Sequence, residues 1–138
     1  MTWMASGAAH PTDLASLVDG YTAVWSEADS EARRKAVGRL WRADGVEFVE
    51  GVQFRGHEEL TARIGRSYDQ FVATGEYAIR TAGDAAGHGD VVTFTVQLIA
   101  LGGDAAGEPA WSARVFLLLD EDGIIREDYH VTVQPLAS

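Results

Sequence analysis

The sequence predicts an α+β fold, in which three helices are followed by a meander of long strands. Three observations lead to this prediction. Apolar residues recur with a helical period as far as Val72, the pattern then changes to long strand-like segments, and the turns between those segments are rich in Gly and Asp. A curved sheet with helices on one face encloses a pocket between the two layers.

The size and composition of the chain fit one packed domain. It has 138 residues, of which 46% are hydrophobic, so a buried core is expected rather than disorder. Nothing in the chain resembles a linker or an internal repeat. We therefore expect a flexible N-terminal tail at 1–10 and a single domain at 11–138.

The first helix is predicted to begin at His10–Pro11–Thr12–Asp13, where a proline and an acidic residue occur early. Its apolar stripe has a period of about 3.6 residues and consists of Leu14, Leu17, Val18, Tyr21, Val24, Trp25 and Ala28. Asp29–Ser30 can end this helix and cap a second one. The apolar side of the second helix carries Ala36, Val37, Leu40 and Trp41.

After the break at Asp44–Gly45, residues 46–50 are typical of a short strand. Gly51 and Gly56 bracket a connection to a third helix, which Gly75 ends. The apolar side of that helix carries Leu60, Ile64, Tyr68, Phe71 and Val72. Four strands follow, at Tyr77–Ala82, Val91–Leu101, Ala110–Leu119 and Ile124–Gln134.

Charge and hydropathy exclude several function classes. The net charge of −10 disfavours both nucleic acid and an anionic membrane surface as partners. No apolar run approaches the roughly 20 residues that span a bilayer, and the first ten residues lack the features of a secretory signal. The expected location is the cytoplasm.

No motif for a metal or a nucleotide cofactor is present. The chain has no cysteine, no HxH or HExxH pair, and no glycine-rich phosphate loop before a helix. No GxSxG nucleophile motif occurs either. We therefore expect no metal and no cofactor.

Several segments resemble the SnoaL-like branch of the nuclear-transport-factor-2-like superfamily: YTAVWSEAD, RLWRADGVEF, FRGHEELTARI and VFLLLDEDGIIREDYHV. The order of helices and strands also matches this superfamily over essentially the whole chain. The resemblance implies a cone-shaped fold with a central pocket. It also extends to ketosteroid isomerases and limonene epoxide hydrolases, which share this scaffold but not one chemistry.

Compared residue by residue, the sequence matches part of the ketosteroid isomerase site and none of the epoxide hydrolase residues compared. Tyr21 falls where ketosteroid isomerases place the tyrosine that binds the developing oxyanion, and Glu50 falls at or one residue beyond their aspartate base. Val115 lies near the position of their protonated aspartate. The Arg-x-Asp of epoxide hydrolases is replaced by Val96 and Leu98, and His130 takes the place of their second aspartate. The resemblance thus implies neither a faithful steroid isomerase nor an epoxide hydrolase.

The last hairpin contains the main candidate site. Asp128 and His130 are two residues apart on one strand and share a face. A three-residue loop in DEDG would pair Asp120 with Ile124, Phe116 with Asp128 and Arg114 with His130, whereas a four-residue loop would turn Arg114 to the other side. Two orientations of this strand face also remain possible. The superfamily alignment favours Asp128 and His130 pointing into the pocket, and periodicity favours a polar outer surface.

Other candidates have two interpretations each. Glu50 is either an inward base near the pocket mouth, if it follows the inward Phe48, or a solvated residue at a strand end. Tyr21 is buried in both interpretations, and its hydroxyl either contacts ligand or does not. Five aromatic residues are proposed to bind substrate, although each could instead belong to the core. They are Trp25, Trp41, Tyr68, Phe94 and Trp111.

The resulting hypothesis is a cofactor-free acid–base enzyme acting on a hydrophobic, oxygenated small molecule such as a polyketide, terpenoid or steroid-like intermediate. Its reaction would be an isomerisation, cyclisation or dehydration, with Asp128, His130 or Glu50 moving the proton and Tyr21 or Arg114 stabilising an oxyanion. The alternative is a non-catalytic small-molecule-binding or dimerisation module. A homodimer is expected through the outer sheet face, with Thr93, Thr95, Gln97 and Ile99 outside.

Overall fold

The computed structural model describes residues 11–137, so the predicted tail at 1–10 and His10 at the predicted helix start lie outside the described residues. Within 11–137 the chain forms three α-helices: α1 Pro11–Val24, α2 Ser30–Leu40 and α3 Gly56–Ser67. A π-helical turn, Tyr68–Val72, extends α3. The predicted cap of α2 forms, because Asp29 accepts a hydrogen bond from the Ala32 N–H at 2.9 Å. The three predicted helices are therefore present.

Seven strands form one sheet in the described residues. They are β1 Trp41–Val49, β2 Val52–Arg55, β3 Tyr77–Thr81, β4 Ala86–His88, β5 Val91–Ala100, β6 Pro109–Leu119 and β7 Ile125–Gln134. The strand order is β2-β1-β7-β6-β5-β3, and β4 pairs with β5 beside β3. All pairs are antiparallel except β1 with β7. The fold is the α+β cone that the resemblance implied: N-terminal helices packed on a curved, mostly antiparallel sheet.

The parallel pair is the feature that builds the site. It sets Glu47 opposite Asp128 and Val49 opposite His130. Residues from the first third of the chain and from its last strand therefore become neighbours at the middle of the sheet.

Strand β1 is longer than the sequence predicted. Trp41, expected on the second helix, is instead the first residue of β1, and residues 42–45 bulge out before pairing with β7 resumes at Val46. Glycine is required in this bulge, because a Cβ at Gly45 would lie 3.0 Å from the Arg42 carbonyl oxygen and 3.3 Å from that of Ile125. The close approach of two backbones explains the break seen in the sequence.

A tight hairpin that the sequence did not reveal joins β1 to β2. Val49 pairs with Val52 across a two-residue loop of Glu50 and Gly51, whose φ angles are 49° and 78°. Positive φ at both positions is the requirement of a type I′ turn. Glu50 is thus a turn residue rather than the end of a strand.

The core lies between the helices and the concave face of β5, β6 and β7. Its largest fully buried side chains are Trp41, Tyr21, Phe94, Leu60 and Ile64. Tyr21 lies at its centre, with ring centroids 5.6 Å from Trp41 and 5.4 Å from Phe94. No helix among residues 11–137 is both long enough and apolar enough to cross a membrane.

Candidate active site

In strand β7 from residue 128 onward, Asp128 and His130 lie inside the protein, and the larger apolar side chains lie outside. Asp128 is fully buried and His130 is 8% exposed, whereas Val131 and Val133 are 51% and 60% exposed. The two candidate residues therefore lie on the concave face, as the superfamily alignment favoured. The alternative, a polar outer face with Val131 and Val133 inside, is wrong.

Four side chains from three elements meet on the concave face of the sheet. Tyr21 of α1 donates a hydrogen bond from its hydroxyl to Asp128 Oδ2 at 2.8 Å, and the same hydroxyl lies 2.5 Å from His130 Nε2. His130 Nε2 is also 3.2 Å from Asp128 Oδ1 and 3.2 Å from Glu47 Oε2. We call Tyr21, Glu47, Asp128 and His130 the proton cluster.

The contacts of Tyr21 fix the tautomer of His130. A phenol has one proton, and Tyr21 donates it to Asp128, so its oxygen can only accept from His130. Nε2 therefore carries a hydrogen. The other ring nitrogen, Nδ1, is buried and has no hydrogen-bond partner among residues 11–137, so it is the nitrogen left to gain or lose a proton.

The electrostatics of the cluster favour a protonated histidine. Burial alone lowers the pKa of His130, but the charge and hydrogen bond of Asp128 and the charge of Glu47 raise it, and the net pKa lies above its usual 6.5. Burial also raises the pKa of Glu47, with Asp128 adding to the effect and His130 and Arg63 opposing it. Burial, followed by the charges of Asp128 and Glu47, raises the pKa of Tyr21 well above 10.0, so its hydroxyl stays protonated.

A cavity of about 350 Å³ lies beside the cluster. Tyr21 and His130 of the cluster line it, as does Arg63, which binds Glu47. Its other polar lining residues are Glu50, Ser67 and Thr132, and the rest of the wall is apolar. The apolar lining consists of Trp25, Val49, Val52, Phe54, Phe71, Ile79, Val96, Leu98, Trp111 and Leu136. Such a shape and lining suit a hydrophobic small molecule with a few polar groups at one end.

Glu50 lines the cavity but stands apart from the proton cluster. It is exposed, and its carboxylate accepts a hydrogen bond from the Thr132 hydroxyl at 2.7 Å. Phe48, expected to point inward with it, stacks instead on Tyr129 outside the sheet, with ring centroids 4.8 Å apart. The buried carboxylate of β1 is therefore Glu47, one residue from Phe48 and on the opposite face.

Arg114 does not join Asp128 and His130, and the expected pairing was wrong. The three-residue loop itself forms: the Asp120 N–H bonds the Ile124 carbonyl at 2.8 Å. An extra residue, Arg126, then bulges out of β7, so that Val115 rather than Arg114 lies opposite His130, and Leu117 rather than Phe116 opposite Asp128. Arg114 points outward and binds Asp84 Oδ2 at 2.6 Å.

Two of the five aromatic residues proposed to bind substrate line the cavity, Trp25 and Trp111. The other three do not. Trp41 and Phe94 pack around Tyr21 in the core, and Tyr68 lies under the guanidinium of Arg33 at 5.2 Å. Their apolar spacing on helices and strands was a signal of burial rather than of ligand contact.

Sequence reasoning missed Glu47 and Arg63. Arg63 extends from α3 to bind Glu47 Oε1 through its Nε at 3.1 Å. A glutamate in the centre of a strand is unusual because burying a charge requires a partner, and this signal was available. The pairing with Arg63 was not, since it depends on how α3 crosses β1.

Three of the cluster residues could also bring ligand atoms together for a metal ion. Donor atoms of Glu47, Asp128 and His130 lie within 4.8 Å of one another. The donor set fits a metal poorly, because Nε2 already holds the hydrogen that faces Tyr21 and because Arg63 adds a positive charge at Glu47. The contacts of this site therefore suit a proton better than a metal cation.

Comparison with solved structures identifies the fold. A candidate isomerase of the SnoaL-like family from Agrobacterium tumefaciens superposes with a TM-score of 0.75 at 25% identity, covering 88% of this chain and 97% of the other. A candidate polyketide cyclase from Sinorhizobium meliloti gives 0.62 at 16% identity over 86% and 96% of the two chains. A protein from Catenulispora acidiphila with a ketosteroid isomerase-like fold, solved with trimethylamine, gives 0.61 at 19% identity over 83% and 82%.

No family model and no curated protein matches the sequence. The similarity is therefore carried by the arrangement of helices and strands, and by the modest identity to the Agrobacterium protein.

Proposed function

We propose that this chain, which has the SnoaL-like fold of the nuclear-transport-factor-2-like superfamily, is a cofactor-independent enzyme that moves a proton within a hydrophobic, oxygenated small molecule. The reaction class is isomerisation, cyclisation or dehydration. The similar solved structures described as candidate isomerases and polyketide cyclases support this choice.

One observation carries the proposal: the two ring nitrogens of His130 have opposite surroundings. Nε2 bonds Tyr21 and faces Asp128 and Glu47, whereas Nδ1 is buried and has no partner among the described residues. The residue itself lines the cavity. A buried polar atom without a partner is costly and rare, and such atoms concentrate at functional sites. A substrate oxygen or an acidic carbon–hydrogen bond would supply the missing partner.

The geometry supports a proton cycle on His130. With its pKa raised, the imidazolium form is present near neutral pH and can donate the Nδ1 proton to a substrate carbonyl oxygen, leaving the N–H electron pair on Nδ1. Neutral Nδ1 can then remove a proton from the carbon next to that carbonyl. The C–H electron pair forms the C=C bond of the enol, and the imidazolium is restored.

The remaining cluster residues position His130 and stabilise its charge. Asp128 and Glu47 supply negative charge beside Nε2, which favours the imidazolium before and after each transfer. Tyr21 links Asp128 to His130 and fixes the ring orientation through its hydroxyl. Its hydroxyl is already engaged by these two residues, so we assign it a positioning role rather than that of an oxyanion donor.

Proton transfer can be tested without knowing the natural substrate. A panel of cyclic ketones and aromatic 1,3-diketones is incubated with the protein in D2O, and deuterium entering the carbon next to the carbonyl is followed by NMR. We expect exchange above the buffer rate for at least one class. His130→Gln should reduce it by about a hundredfold or more, the scale of general acid–base catalysis.

Arg114→Gln is the matched control, because Arg114 lies on the outer face and binds Asp84. It should exchange at the parent rate. Tight binding of panel members without exchange in the parent protein would instead identify a non-catalytic binding module. Equal exchange by His130→Gln and the parent would contradict the assignment of His130.

A further inference from the structure

Arg63 presents a fixed positive charge to the cavity. Its guanidinium carbon lies 5.2 Å from the ring centroid of Trp25 and 5.2 Å from that of Phe54, and its Nε binds Glu47. Cation–π contacts of this kind hold the plane of the group as well as its position. The side chain is 23% exposed, and the residue lines the cavity. Arg63 is therefore a preorganised cation on the wall of an apolar chamber.

The end of this guanidinium is available to a ligand. Glu47 occupies Nε, and the Nη1 and Nη2 groups form no hydrogen bond with any residue of the described range 11–137. Two other arginines, Arg33 of α2 and Arg114 of β6, are used differently. Arg33 donates to the carbonyl of Glu27 at 2.6 Å, and Arg114 binds Asp84 on the outside.

A second donor lies one helical turn away. Ser67 is four residues after Arg63 on α3, so the two side chains share a face of the helix, and both line the cavity. The Ser67 hydroxyl has no hydrogen-bond partner in the part of the chain that the structure describes. Arg63 and Ser67 together form what we call the oxygen clamp.

We infer that the substrate is an organic carboxylate, bound through its two oxygens by the oxygen clamp, with its apolar body lying toward Trp111 and Leu98. The inference rests on the proposed function in taking this ligand to be the substrate. The two Nη groups of one guanidinium form a planar fork that matches the two oxygens of a carboxylate. The carboxylate then lies on the side of the cavity that borders the proton cluster, because Arg63 and His130 both contact Glu47.

The charges of the site favour a singly charged anion. With His130 protonated, two cationic groups, Arg63 and His130, face two buried carboxylates, Glu47 and Asp128. A third carboxylate, Glu50, also lines the cavity but is exposed, so solvent screens its repulsion of a bound anion. A doubly charged phosphate would meet stronger repulsion from these two buried carboxylates in a low-dielectric site. A neutral ester would leave part of the fork unpaired, which reduces its affinity.

The test measures binding, so it is independent of turnover. Isothermal titration calorimetry compares 2-naphthoate with methyl 2-naphthoate, and 4-phenylbutanoate with its methyl ester. For at least one pair we expect the carboxylate to bind roughly tenfold or more tightly than the ester, the effect of one charge-assisted hydrogen-bond pair. Equal or tighter binding of both esters, or no binding of either carboxylate at millimolar concentration, would overturn the inference.

Variants test which residues cause the preference for carboxylate over ester. Ser67→Ala should weaken carboxylate binding several-fold without affecting the esters. Arg63→Gln alone leaves buried Glu47 without its partner and risks misfolding, so Arg63→Gln is combined with Glu47→Gln; this double variant should bind acid and ester alike. A preference that survives in the double variant would show that Arg63 is not the clamp.

Arg66→Gln provides the control. Arg66 lies on the same helix with the same charge, but it is exposed and does not line the cavity, so the preference should persist. His130→Gln should lose deuterium exchange and bind carboxylates more weakly, but it should keep the preference for carboxylate over ester, because the Arg63 fork remains. The two proposals can fail separately. If the parent protein prefers carboxylates but His130→Gln still catalyses deuterium exchange, the role proposed for His130 is contradicted and the oxygen clamp is supported.

Discussion

His130 brings an unsatisfied polar atom into the interior of the protein. Leaving a buried nitrogen without a hydrogen bond costs roughly 1–3 kcal/mol, and Nδ1 has no partner in the described range. Within the ring this cost falls on Nδ1, since Nε2 bonds the Tyr21 hydroxyl. Asp128 Oδ1 and Glu47 Oε2, each 3.2 Å from Nε2, also lack a hydrogen-bond partner in that range. Stability and function therefore oppose each other at this residue.

The raised pKa of His130 predicts how stability depends on pH. Because the folded pKa lies above the unfolded value of about 6.5, the histidine stabilises the fold fully below that pH and loses this contribution as pH rises through the folded pKa. We expect the free energy of unfolding, measured in urea, to fall as pH rises above about 6.5. The raised pKa of Glu47 acts in the same direction, beginning above 4.5.

His130→Gln should flatten this alkaline decrease while leaving the acid side unchanged. Backbone hydrogen bonds lower the pKa of Asp120, and hydrogen bonds from Thr95, against the opposing effect of burial, lower that of Asp84. These carboxylates stabilise the fold above their unfolded values and lose that contribution as pH falls. An unchanged alkaline slope in His130→Gln would show that another group titrates there.

At the scale of single elements, the bulge in β1 depends on a glycine. An added Cβ at Gly45 would meet two backbone carbonyls and lie 3.1 Å from Trp41 Cδ1, and backbone cannot move aside easily. We expect Gly45→Ala to destabilise the protein by about 1–3 kcal/mol, measured by chemical denaturation.

Gly38→Ala is the matched comparison. Gly38 lies on the exposed side of α2, and a Cβ there would meet nothing within 4 Å. The same substitution should therefore stabilise by about 0.5–1 kcal/mol, because alanine loses less backbone entropy in a helix. Equal effects at the two glycines would contradict the role given to the bulge.

The elements also show how far the sequence can be interpreted. Helical periodicity predicted α1, α2 and α3, and the Gly–Asp turns located the long strands, because those signals are local. The loop at DEDG was predicted as well, but Arg126 bulges out of β7 and shifts the partners of residues 127–132 by one. A bulge depends on how two strands fit together, so the expected pairing of Arg114 with His130 could not be corrected from sequence.

The candidate site was likewise predictable from sequence only in part. Asp128 and His130 could be chosen because they share a strand face, and Tyr21 because it lies on an apolar stripe. Glu47 and Arg63 required the parallel pairing of β1 with β7 and the crossing of α3, which are tertiary facts. Periodicity alone gave the wrong face for β7, because Tyr129, Val131 and Val133 are exposed.

At the scale of the whole molecule, those exposed residues form an apolar band on β6 and β7. The band consists of Phe116, Tyr129, Val131 and Val133, with exposed fractions of 38%, 38%, 51% and 60%. Contiguous apolar surface on a sheet is typical of an interface. The expected outer residues on β5 contribute less, since Ile99 is only 6% exposed and Thr95 binds Asp84.

We expect a two-fold homodimer through this face at micromolar concentration, measured by light scattering after size-exclusion chromatography. Val131→Lys should shift the mass toward the monomer, because it places a charge within the band. Leu101→Lys, at an equally exposed apolar residue beyond the end of β5, should leave the mass unchanged. A monomeric parent protein would contradict the prediction.

The position of β7 has a consequence for biosynthesis. It is the last strand made in the described chain, yet it lies between β1 and β6 in the sheet and carries Asp128 and His130. Until it leaves the ribosome, β1 and β2 have no neighbour through which to join the other strands, and the nascent chain exposes unpaired strand edges. Folding on the ribosome should therefore be late and cooperative, and the sheet and the proton cluster should form in a single step.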